Sequence, residues 1–212
     1  MKTDTIELRG KDQEREQALL EAEKFAKYME LDTKTSMQIR LLVEEAIGML
    51  GAISGSYQAD FWMEGKKEDT CQIHLKVMME MNDKKRKDLI DASTSKKNDA
   101  YAGLTGKIRE FFDRNLALYD VADYADLDSF SGFTLGMMTA PSFMGGSVEV
   151  DQQIWSLSAY KSGVAEQKES NDKAREAWDE LEKSILGNIA DDVRVSIKGN
   201  MAELTILKKM NA

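Results

Sequence analysis

The chain has 212 residues, of which 42% are hydrophobic and 32% charged, enough to fill one core and wet its surface, and this composition argues against disorder. A formal net charge of −9 argues against binding a phosphate backbone, and no apolar run reaches the roughly 18 residues of a membrane span, so neither nucleic acid nor a membrane is an expected partner. The single cysteine, Cys71, excludes an internal disulfide, and the opening MKTDTIELRGKDQERE lacks the apolar stretch of a signal peptide, so the expected compartment is the cytoplasm.

Along the chain, Thr5 to Leu8 alternates as a short strand does and ends at Gly10. From Gln13 to Glu30, Leu19, Ala22, Ala26 and Met29 recur at helical spacing and predict an amphipathic helix. Asp32 or Thr33 can cap a second helix, in which Ile39, Leu42, Val43, Ala46, Leu50 and Ile53 form one stripe that Gly55 stops. Ala59, Phe61 and Met63, then Ile73, Leu75, Val77, Met79 and Met81, alternate with other residues and predict two antiparallel strands joined through Gly65 to Asp69.

The basic run Lys84 to Lys87 is bracketed by Asp83 and Asp88 and reads as a solvated face. Lys107 to Leu118 reads as a helix, Ser129 to Thr139 as a short apolar segment, Pro141 to Gly146 as a loop, and Val148 to Val150 as a further short strand. Trp155 to Tyr160 reads as a short helix or an extended stretch. Glu169 to Leu186 carries Ala174, Ala177, Trp178, Leu181 and Ile185 on one face and predicts a helix stopped at Gly187. Val193, Val195 and Ile197 then pair through a Gly199-Asn200 turn with Leu204 and Ile206. This order predicts a two-layer α/β sandwich, a mixed or antiparallel sheet with helices on one face. One proline and no Gly/Ser-rich stretch give no sign of a linker, so residues 1–212 read as one domain with an elaborated region at about 118–187.

The run LLEAEKFAKYMELDTKTSMQIRLLVEEAIGML, followed by the strand hairpin, resembles the Bergerat-fold (GHKL) ATPase-like domains of anti-sigma-factor serine kinases and histidine kinases over about residues 4 to 82. The closing DDVRVSIKGNMAELTILKKM is similar to that family's last two strands. The resemblance implies a general base at Glu45 and, four residues on, a magnesium-holding position occupied here by Met49. A thioether is a poor partner for Mg²⁺, which wants hard oxygen ligands. The family's Asp-x-Gly-x-Gly turn has no counterpart: Asp83 offers an acid, but no glycine occurs between Lys66 and Ala102. Gly103 to Gly106, opening a helix at Lys107, and Ser131 to Gly136, with Gly132 and Gly136, are the segments in which backbone N–H groups could meet phosphates.

The resemblance therefore implies a regulatory protein-binding module on a degenerate ATPase-like scaffold, with no cofactor expected beyond weak Mg-ATP binding and no metal site. A protein partner is expected, and a homodimer is allowed. An active ATP-dependent anti-sigma-type serine/threonine kinase is the rival reading, and an unrelated two-layer α/β domain without ligand is the third. Phe130, Phe133, Phe143, Trp155 and Tyr160, with nearby methionines, make the segment between Asp120 and Lys161 the expected contact surface. His74, the only histidine, falls on the non-core phase of its strand, and one Cys with one His cannot by themselves build a zinc site. No Gly-x-Ser-x-Gly elbow accompanies it, which excludes a serine hydrolase of that type.

Overall fold

Alternation of apolar and polar side chains builds the sheet, and two helices with apolar stripes close one side of it. The computed structural model of the protein describes residues 1–53, 57–66, 69–78, 104, 106–108, 111, 153–198 and 201–210. Its elements are β1 (Ile6–Leu8), α1 (Asp12–Tyr28), α2 (Thr33–Ile53), β2 (Gln58–Gly65) and β3 (Thr70–Met78) in the N-terminal part. The C-terminal part adds β4 (Gln153–Ser156), α3 (Leu157–Gln167), α4 (Asp172–Lys183), α5 (Ile185–Ile189), β5 (Asp192–Lys198) and β6 (Met201–Lys209). Leu104, Gly106, Lys107, Ile108 and Phe111 are helical as well.

The six strands form one sheet in the order β1-β2-β3-β6-β5-β4, and every neighbouring pair is antiparallel. Side chains directly opposite one another share a face, so Phe61, Leu75, Leu204 and Val195 line up across four strands and all four are buried. The other phase carries Asp60, Lys76, Glu203 and Ser196 in one row and Trp62, His74, Thr205 and Arg194 in the next. Helices pack on the apolar face: α1 against β1 and β2, α3 against β4 and β5, and α5 against α2. The result is the two-layer α/β sandwich with an antiparallel sheet.

Local chemistry sets the helix ends. Glu14 on the first turn of α1 accepts from the backbone N–H groups of Arg9 and Lys11, which satisfies donors that the helix itself leaves orphaned. At the other end Glu30 takes the left-handed conformation (φ 58°), with its N–H on the Lys27 carbonyl and the Leu31 N–H on the Ala26 carbonyl. This Schellman arrangement usually employs glycine at the left-handed position. Asp32 then starts α2 by accepting from the Thr35 N–H at 3.0 Å and from the Thr35 hydroxyl, and these bonds hold its carboxyl below the usual range.

Two details depart from the pattern reading. The helix expected from Glu169 to Leu186 is split, because Ser184 adopts an extended backbone (ψ 132°) and its hydroxyl accepts from the Gly187 N–H at 3.2 Å, capping α5. Gly187 lies inside that new helix instead of ending the old one: a Cβ there would stand 2.4 Å from the Leu181 carbonyl oxygen. The stretch Trp155 to Tyr160 is both strand and helix. It changes at Ser156, whose hydroxyl accepts from the Ala159 N–H at 3.3 Å. The expected pieces at Ser129–Thr139, Pro141–Gly146 and Val148–Val150, with Met79, Met81 and the Lys84–Lys87 run, lie outside the described residues.

The core runs from Leu8 and Phe25 through Leu42, Phe61 and Leu75 to Leu186, Val195 and Ile206. Leu42 is fully buried on α2, so Leu42→Ala is expected to lose about 2–5 kcal/mol of unfolding free energy by urea titration. A loss below about 1 kcal/mol would place this face of α2 away from the core.

Cys71 on β3 is also fully buried, and burial pushes its thiol up to about 12. In the unfolded chain the thiol ionises near pH 8.5. A raised folded value favours the protonated form in the fold, so this contribution to stability is complete below that pH and is lost as pH rises toward 12. At pH 8, Ellman's reagent should react with the thiol only after unfolding, and the urea midpoint should fall between pH 8 and 10 more steeply than in Cys71→Ala. Prompt labelling of the native protein would contradict this placement.

Candidate functional site

The site predicted from sequence centres on α2. Glu45 is half-exposed there, and Met49, one turn on, is only 2% exposed and belongs to the core cluster with Leu181 and Leu186. The two are i, i+4 neighbours, but the helix rotates the thioether inward while the carboxylate stays at the boundary. Glu44, next to it, faces α1 and accepts from the Arg15 guanidinium at 2.7 Å. A second bridge, Arg40 to Glu23 at 2.9 Å, ties the same two helices further along. The carboxylates of α2 thus divide into one used to clamp α1 and one half-exposed at the edge of the core.

Of the remaining predicted site residues, Gly106 is among the described ones. Gly106 is buried and helical, as is Leu104, so helical residues occur before Lys107. The reason is packing: Leu104 and Ile108, four residues apart, are both buried in the core. Gly103, Asp83, Gly132 and Gly136 lie outside the described residues, as do Phe130, Phe133 and Phe143. Of the expected contact surface, Trp155 and Tyr160 pack partly buried against the core with ring centroids 5.9 Å apart, and Ile154 is exposed.

A cleft of about 170 Å³ lies where the β1–α1 turn faces the C-terminal half of α2, between Gly10, Arg15, Gly48 and Tyr57. A Cβ on Gly48 would meet nothing within 4 Å, which keeps this side of α2 open. The volume is below the roughly 300 Å³ at which small-molecule sites begin. Among the described residues no group of three or more His, Cys, Asp or Glu side chains is placed to hold a metal ion.

Pattern reading missed a polar cluster on the face of the sheet away from α1 and α2. Trp62 and His74 are direct partners across β2 and β3 and stack in parallel, their centroids 4.8 Å apart and planes 2° from coplanar. His74 Nδ1 lies 3.2 Å from Glu203 Oε1 and 3.3 Å from the Thr205 hydroxyl on β6. The Trp62 Nε1–H donates to Glu64 at 2.9 Å, Lys2 reaches the same carboxylate at 2.9 Å, and its ammonium stands 4.9 Å from the Trp62 ring centroid. Hydrogen bonds from Lys2 and then Trp62 hold the Glu64 carboxyl below its usual range.

His74 is therefore buried (9% exposed) although it sits on the non-core phase of its strand, because the indole covers it. Its Nε2 is buried without a hydrogen-bond partner among the described residues. The signal for this cluster was available in the hairpin register, since once Gly65 opposes Cys71, Trp62 must oppose His74. Aromatic pairs of this kind couple by about 0.5–1.5 kcal/mol, which is the interaction energy expected from a double-mutant cycle of Trp62→Ala and His74→Ala by urea unfolding. Additive losses would mean that the stack contributes nothing beyond the area each ring buries.

No helix among the described residues is long and apolar enough to cross a membrane. Comparison of the chain with protein-family models, with curated proteins and with solved structures finds no match.

Proposed function

We propose that the protein is a regulatory protein-binding module on a degenerate ATPase-like scaffold of the Bergerat type, without tight Mg-ATP binding. The observation that carries this reading is the burial of Met49. At the position where the resemblance requires a magnesium-holding side chain, the residue is 2% exposed and packs in the core. A neutral thioether facing inward gives a hard dication no ligand, and Glu45 alone cannot anchor Mg²⁺ with the phosphates of a nucleotide. The kinase reading requires that anchor, so the binding reading is the better supported one.

The site is also a poor starting point for repair. Met49→Asn would place an amide in the space of a buried thioether, with a cost of about 1–3 kcal/mol for an unsatisfied polar group. This differs from a site that has lost only a surface ligand.

Thermal melts with millimolar Mg-ATP and Mg-ADP test the proposal. A nucleotide at one hundred times its dissociation constant would stabilise the fold by about 2.7 kcal/mol, a shift of several degrees. The expected result is no shift with either nucleotide; a rise of several degrees would favour the ATP-dependent kinase instead.

A further inference from the structure

We draw no further inference here: the strongest candidate, the exposed apolar side chains of the α1–α2 surface, Leu20, Met37 and Leu41, carries nothing because nothing in the structure shows what covers them.

Discussion

Everything in this fold depends on the antiparallel pairing of β3 with β6. The two strands register over nine residue pairs, from Thr70 opposite Lys209 to Met78 opposite Met201. They join residues about 130 positions apart. Closing so long an excursion costs chain entropy that grows only slowly with length, but it must be met before any contact across the seam is made. The return comes on both faces. Toward the helices, Cys71, Ile73, Leu75 and Val77 are buried beside Ala202, Leu204 and Ile206. Away from them, His74 is held by Glu203 and Thr205. Without this seam the sheet would fall into two three-stranded halves, β1-β2-β3 and β6-β5-β4, each small enough to be marginal alone.

The seam also decides what the helices can do. With the sheet continuous, α2 must cover its apolar face along Ile39, Leu42, Val43, Ala46 and Leu50, and it meets α5 from the C-terminal part. Met49 is buried and belongs to the core cluster. The opposite side of the same helix is left with Met37, Leu41 and Gly48, none of which packs inward. The clamp of Arg15 on Glu44 and Arg40 on Glu23 then makes α1 and α2 a single exposed platform. Which side chains of α2 face the core and which face outward is therefore settled by how the helix is rotated, and the rotation follows from the sheet.

Strong periodicity made much of the fold legible. The stripes of α1 and α2, the β2–β3 hairpin and the alternation of β5 and β6 are all present with boundaries within a few residues of expectation. Less legible were elements decided by single hydrogen bonds. Ser156 turns an apolar stretch from strand to helix, and Ser184 cuts a helix whose apolar stripe continues across the break. In both places serine is a competent cap, but serine is too common for the residue alone to announce a boundary. The candidate site was legible only as spacing. Glu45 and Met49 are neighbours as predicted, yet whether a flank residue points in or out depends on what packs beside it, which the spacing alone does not reveal. The His74 cluster was hidden for a related reason: its burial comes from a cross-strand ring, not from its own strand's pattern.

The pairing of β3 with β6 should make the two parts of the chain one cooperative unit. Native-state hydrogen exchange followed residue by residue through increasing denaturant addresses it directly. The most protected amides are expected to be those of Ile73, Leu75, Leu204 and Ile206, exchanging only through global unfolding, together with the amides of α2. Opening of the β5–β6 pair at a free energy well below that of β2–β3 would instead make the seam a late docking of two independent halves and contradict a single cooperative unit.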